Sequence, residues 1–215
     1  MIEEQNNELL QKNLRLKINP HFIFNSLNSI ANLTYANKSQ EAHRNIIKFA
    51  SLLRLSLEKS DQLQHSIEDE KLFLKSYLDL QHDMLSNFSY TFEVDAQLDE
   101  EDIAIPAFII QPFVENALIH AYQQKEEKKL AIRIKQNPNA DLLNIEIEDN
   151  GIGRAAAAQN KKSSHTSVGI SITENRIKAL HKNDDIQIEI VDLKDENGNA
   201  CGTKIVLTTP YQHLF

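Results

Sequence analysis

Asp149-Asn150-Gly151-Ile152-Gly153 places a carboxylate and two glycines directly after an alternating run, Leu142 to Glu148. An acidic side chain at a strand end can accept a hydrogen bond from the exocyclic amine of a nucleobase. Glycines let backbone approach a ligand with no Cβ in the way. Asp-Asn-Gly is also ordinary turn chemistry, so the pentapeptide alone leaves both readings open. Three other segments bear on the choice.

The first is Gln111-Pro112-Phe113-Val114-Glu115-Asn116-Ala117-Leu118-Ile119-His120, where Glu115, Asn116 and His120 interrupt an otherwise apolar helix. Asn116 and His120 are four residues apart and would share a helical face. An amide oxygen beside a carboxylate suits a hard cation such as Mg²⁺, which takes few protein ligands and completes its shell with water and phosphate oxygens. The second is Ser167-Val168-Gly169-Ile170, expected to open a helix over Val168–His181 that includes Asn175 and Arg176. Free N–H groups and the helix dipole at such a start favour phosphate. The polar stretch from Arg154 to Val168 reads as a long loop able to act as a lid or simply as a surface loop. The third is Asn19-Pro20-His21-Phe22, with Asn25 one turn beyond His21. A neutral imidazole is a good nucleophile. The Asn25 amide could orient the ring or hold a water for the reverse hydrolysis. No carboxylate follows His21 directly.

These segments need elements to carry them. The first third reads as a helical hairpin broken at Ala36-Asn37-Lys38-Ser39-Gln40. Its apolar stripes are Leu9, Leu16, Ile23, Leu27 and Ile30, then Ile46, Ala50, Leu53 and Leu57. Two helices bury little alone, so a dimeric four-helix bundle through these helices is the expected solution. A third helix starts at Ser66-Ile67-Glu68-Asp69, a capping-box pattern, and carries Phe73, Tyr77, Leu80 and Met84. Beyond it, Tyr90–Val94, Leu130–Lys135, Leu142–Glu148, Ile186–Ile190 and Lys204–Thr208 read as strands, and Pro106–Tyr122 as a helix with proline near its first turn. The expected fold is α+β: an N-terminal helical hairpin followed by an α/β sandwich with a mixed, mainly antiparallel sheet. The expected divisions are residues 1–62, 63–87 and 88–215.

The bulk numbers restrict the function class. A net charge of -8 argues against direct nucleic-acid or anionic-membrane binding. Cys201 is the single cysteine, so no internal disulfide forms. No run approaches the roughly 18 apolar residues of a membrane span.

Taken together, the segments resemble the LytS-type (YehU-type) sensor histidine kinases. The Asn-Pro-His-Phe motif matches Asn19 to Phe22, and Gln-Pro-x-Val-Glu-Asn-Ala-x-x-His matches Gln111 to His120. Asp-x-Gly-x-Gly matches Asp149, Gly151 and Gly153. The second glycine box matches Gly169, Asn175 and Arg176, and a Gly-Thr pair matches Gly202 and Thr203. The resemblance implies a Bergerat-type ATP-binding domain, shared with gyrase, Hsp90 and mismatch-repair ATPases, over residues 88–215. It implies ATP and Mg²⁺ as cofactors. Asp149 would hold the adenine amine, and Asn116 would ligate Mg²⁺ with Glu115 polarising or accepting a proton nearby. His120 and Thr203 would line the nucleotide site, and Gly151, Gly153 and Gly169 would shape pocket and lid. His21 would take the γ-phosphoryl group and pass it to an aspartate of a response-regulator receiver domain, often one with a LytTR-type output.

The chain departs from the family at two places. Ser167 stands where a first glycine of the second box is usual, and only about 16 residues precede the motif helix where the family carries a membrane-bound sensor. The expectation is a cytoplasmic kinase core from a membrane-anchored parent. A nucleotide-binding scaffold unable to phosphorylate itself is the alternative. A superfamily kinase acting on another protein's serine would not need the Asn-Pro-His-Phe hairpin.

Overall fold

Helix α1 (Pro20–Tyr35) opens on a proline, which a first helical turn tolerates because an N–H there has no helical partner. Helix α2 (Ser39–Glu58) follows a short turn in which Asn37 takes a left-handed φ of 58°. The structure, a computed structural model, describes residues 20–59, 62–122, 125–137, 141–159 and 186–214. Leu9, Leu16, Asn19, Gly169, Asn175, Arg176 and the helix expected over Val168–His181 lie outside them. The chain divides into two units: Met1–Leu63 with Leu72–Ser86, and Gln64–Lys71 with Asn87–Phe215.

In the first unit α1, α2 and most of α3 (Ile67–Met84) pack around Phe22, Phe49 and Tyr77. The ring centroids lie 6.2 Å apart for Phe22–Phe49 and 4.6 Å for Phe22–Tyr77. Lys48 on α2 bonds Asp83 on α3 at 2.6 Å. The stripe that α2 buries is Ala42, Asn45, Phe49, Leu52 and Ser56. The expected stripe is displaced from it by one residue, about 100° around the helix. Ile46, Ala50 and Leu57 consequently stand exposed, and Leu53 is half-buried. Both stripes repeat every three and four residues, and Asn45 and Ser56 made the buried one look less apolar.

Ser66 Oγ accepts the Asp69 N–H at 3.1 Å and so caps α3 as its sequence pattern implies. Before it comes a three-residue strand, β1 (Gln64–Ser66). The second unit continues with β2 (Phe88–Val94) and β3 (Ile103–Pro106). Helix α4 (Gln111–Asn116) follows and runs into a π turn at Ala117–Ala121. Then come β4 (Lys128–Gln136), β5 (Leu142–Asp149) and α5 (Arg154–Gln159). β6 (Gln187–Lys194), β7 (Ala200–Pro210) and β8 (Gln212–His213) complete it.

The main sheet has the order β2-β4-β5-β7-β6, with β2 and β4 parallel and the other pairs antiparallel. Alternation sorts its faces: Leu130, Ile132 and Ile134 of β4, Leu143, Ile145 and Ile147 of β5, and Ile205 and Leu207 of β7 are buried. The α+β class with a mixed, mainly antiparallel sheet is therefore the observed one.

Three local expectations change. Pro106 ends a fully buried strand instead of starting a helix, and Pro112 is the proline of the α4 first turn. Arg154–Gln159 is helical instead of loop, in keeping with four consecutive alanines. A small antiparallel sheet, β1-β3-β8, was not anticipated. Its strands have two to four residues, too few to show a period.

Candidate functional site

Asp149 is the last residue of β5 and lies two residues beyond Ile147, so strand parity turns it toward the buried face. It pairs with Leu130 on β4 and with Thr203 on β7. Its carboxylate accepts the Gly151 N–H at 2.8 Å and a backbone N–H from Thr203. Burial outweighs these bonds and pushes the Asp149 carboxyl up to about 6.

The corner around it closes through backbone contacts that only glycine permits. A Cβ on Gly202 would lie 2.0 Å from the Asp149 carbonyl oxygen. A Cβ on Gly151 would lie 2.5 Å from both the Cβ and the carbonyl oxygen of Ala121. That carbonyl also accepts the Ile152 N–H at 3.0 Å, which ties the end of the π turn to the glycine pair. Gly153 is buried at the start of α5, and Thr203 is buried beside Asp149. Asp149, Gly151, Gly153, Thr203 and the end of the Gln111–Ala121 segment thus come together.

Two residues absent from the expected set hold this corner. Asn150 accepts the Lys129 N–H at 2.8 Å and donates to the Glu127 carbonyl at 3.0 Å. The Tyr122 hydroxyl donates to the Lys129 carbonyl at 2.7 Å. Burial, helped by the nearby Asp149 charge, drives the Tyr122 phenol well above its ordinary range, so it stays a donor. Asn150 sits inside the Asp149–Gly153 pentapeptide, yet its amide serves the fold. Tyr122 carries no motif signal.

On α4, Glu115 is buried and its Oε1 accepts the Gln111 amide at 2.8 Å. The glutamine of the motif therefore aims the carboxylate. Asn116 ends the α segment, half-exposed. From Ala117 to Ala121 the backbone is a π turn, bonded five residues apart, so the α-helical spacing expected to stack His120 over Asn116 does not apply. Only the backbone of His120 is described, as is that of His21 in the first turn of α1; Asn25 follows one turn later and is exposed. Among the described residues no cluster of three or more His, Cys, Asp or Glu can hold a metal ion. The Asn116 amide and the Glu115 carboxylate are hard oxygen donors, the chemistry that Mg²⁺ takes when water and phosphate complete its shell.

A family model described as histidine kinase-, DNA gyrase B-, and HSP90-like ATPase matches residues 101–213, more than half of the chain and the whole of this corner. The chain belongs to that family. A second model, histidine kinase, matches residues 9–87 of this ATPase-family member. Sensor protein LytS of Staphylococcus epidermidis is 28% identical over 94% of the chain and 34% of its own length. Sensor histidine kinase YpdA of Escherichia coli is 28% identical over 84% of the chain and 32% of its length. Sensor histidine kinase/phosphatase LytS of Staphylococcus aureus is 28% identical over 66% and 24%. The chain spans about a third of the length of the first two. The 1.7 Å structure of a bacterial phosphotransferase superposes with a TM-score of 0.50 over 96% of each chain at 12% identity, a likeness of fold alone. No helix among the described residues is long and apolar enough to cross a membrane.

Proposed function

We propose that this chain is the catalytic core of a two-component sensor histidine kinase. It would phosphorylate itself on His21 with ATP and pass the phosphoryl group to an aspartate of a receiver domain, in a regulator of the kind that carries a LytTR-type output. The observation that supports this best is the buried Asp149 carboxylate at the glycine-closed end of β5. It lies inside the matched ATPase segment, while the chain's other match, to histidine kinases, covers the helix that begins Pro20-His21.

The assigned roles follow. Asp149 accepts from the adenine amine. Gly151, Gly153 and Thr203 admit the base, and Gly169 and His120 serve the phosphates. Asn116 holds Mg²⁺, which when bound neutralises phosphate charge, and Glu115, aimed by Gln111, stands beside it. In the transfer a ring nitrogen of His21 donates its lone pair to the γ phosphorus. The bond to the bridging oxygen breaks, ADP leaves with that electron pair, and the imidazole gives up its ring proton to water. Asn25 orients the ring. Residues 1–62 form the phosphoacceptor and dimerisation region, 63–87 the connection and 88–215 the ATP-binding domain. The homodimer would use the exposed apolar residues of α1 and α2. The parent protein is assigned to the membrane with this core in the cytoplasm.

The decisive experiment is incubation with γ-labelled ATP and Mg²⁺, followed by acid and alkali treatment. Acid-labile, alkali-stable label that disappears in His21→Ala, with ATP still bound, is the expected result. Bound ATP with no label in the unmodified chain favours the scaffold reading. Loss of both binding and label in His21→Ala defeats the division of labour.

A further inference from the structure

Glu70 is fully buried in the first turn of α3, within the same unit as the nucleotide corner, and the chemistry above gives it no task. Its carboxylate gathers three donors. Oε1 takes the Ile110 N–H at 3.1 Å, and Oε2 takes the Phe108 N–H at 3.0 Å. Oε2 also lies 2.5 Å from His65 Nε2. His65 is itself buried on β1, with its ring edge-on to Phe108 at 5.2 Å. Its Nδ1 meets no partner among the described atoms, which points to the tautomer that donates from Nε2 and leaves only a lone pair at Nδ1.

Two of the three donors belong to one short segment, Ala107–Ile110, between β3 and α4, and the third ties it to β1. Phe108 has a φ of 59°, in the left-handed region, and is the single such non-glycine in the described chain that is not asparagine. A large residue keeps that conformation only where its surroundings dictate it. Ile110 is the residue immediately before α4, and Gln111, Glu115 and Asn116 follow within two turns. No side chain caps α4 locally, so its start is set from outside.

We propose that Glu70, oriented by His65, is a positioning residue for the phosphate end of the nucleotide site. By holding the Phe108 and Ile110 amides it sets where α4 begins and hence where Glu115 and Asn116 stand relative to Asp149. This rests on the nucleotide reading above.

The test uses the full chain with Glu70→Gln. One amide oxygen cannot accept from three donors, and the new NH₂ faces N–H groups. Hydrogen exchange of the Phe108 and Ile110 amides is expected to accelerate at least about tenfold while Ile132 and Ile147 stay protected. The tightening of ATP binding by Mg²⁺ should shrink toward none, and ATP affinity in chelator should stay within about threefold. Faster exchange with an unchanged Mg²⁺ effect reduces Glu70 to a purely structural role and overturns the proposal. Equal loss of binding with and without Mg²⁺ also overturns it. An unmodified chain that binds ATP without any Mg²⁺ effect removes the underlying site reading, a result seen before any variant is made. If Glu70→Gln does not fold, His65→Asn removes one donor and keeps both amides bonded. A smaller drop in the same amide protection and Mg²⁺ effect supports the proposal, and no change in either refutes it.

Discussion

Eight of the ten large apolar side chains that stand exposed among the described residues belong to the helical unit, and two belong to the sheet unit. Phe24, Leu27, Tyr35, Ile46, Ile47 and Leu57 all lie on α1 and α2, whereas the central strands β4, β5 and β7 of the sheet unit bury alternate residues. The sheet unit spends its exceptions differently. Asp149, Glu70, Glu115 and His65 are titratable groups placed inside, while the polar groups that the helical unit buries, such as Asn45 and Ser56, are neutral. One unit is apolar where a surface is ordinarily polar, and the other holds titratable groups where a core is ordinarily apolar. An exposed apolar surface suits assembly, and a buried carboxylate suits recognition.

The largest expected effect tests how tightly the recognition corner is closed. Gly202→Ala forces a Cβ against the Asp149 carbonyl, and backbone, not a flexible side chain, must give way. A loss of at least about 3 kcal/mol in denaturant unfolding is expected, with ATP affinity falling alongside. Unchanged stability would mean that the β5–β7 corner is looser than drawn.

Next comes Asp149, where one charge acts with opposite signs on stability and binding. Its folded pKa of about 6 lies above the ordinary 3.8, so the folded protein binds the extra proton in between. Stability from this group therefore falls as pH rises from about 4 to 6, by on the order of 3 kcal/mol in total. On the role proposed for Asp149, adenine binding needs the carboxylate and should weaken as pH drops through about 6. Asp149→Asn is expected to flatten the stability slope and weaken ATP binding at neutral pH by at least about tenfold. Parallel pH slopes in variant and parent would place the titration elsewhere.

A smaller effect separates the surface of the helical unit from its core. Ile46 is 49% exposed and its neighbour Asn45 is 3% exposed. Ile46→Lys should leave protomer stability within about 0.5 kcal/mol but weaken self-association at least about tenfold in sedimentation across concentrations. A monomer at every concentration in the unmodified chain would contradict assembly through this face.

That one-residue difference also shows what a sequence can and cannot display. Strand parity was readable: once Ile145 and Ile147 alternate, Asp149 falls on their face, and its unusual burial follows from counting by two. Stripe choice on α2 was not, because two equivalent repeats lie side by side and hydrophobicity favours the one that the protomer leaves exposed. The start of α4 was missed for a related reason. Ile103-Ala104-Ile105-Pro106 is buried on both faces and has no period, and Pro106 and Pro112 are both credible first-turn prolines. Glu70 lies 40 residues from Ile110, so nothing local announces their bond. Motif spacing displays Gly151 and Gly202 because close backbone approach demands glycine there. It did not locate Asn150 and Tyr122 as supports, because many residues can serve that purpose.

The smallest effect concerns Arg154, the first residue of α5 directly after Gly153. Its Nε and one terminal nitrogen donate to the two Asp192 oxygens on β6, both at 2.7 Å. The geometry is bidentate, but the side chains are 41% and 46% exposed, so water and salt screen the pair. The guanidinium bond holds the Asp192 carboxyl below its ordinary range. Its stabilisation is present above about pH 4 and is lost as pH falls through the lowered value, opposite in direction to Asp149. Asp192→Asn should cost less than about 1 kcal/mol at neutral pH, and less again in high salt. A cost as large as that of Gly202→Ala would mean that the end of the glycine corner is held by charge at the surface and not by close backbone packing around Asp149.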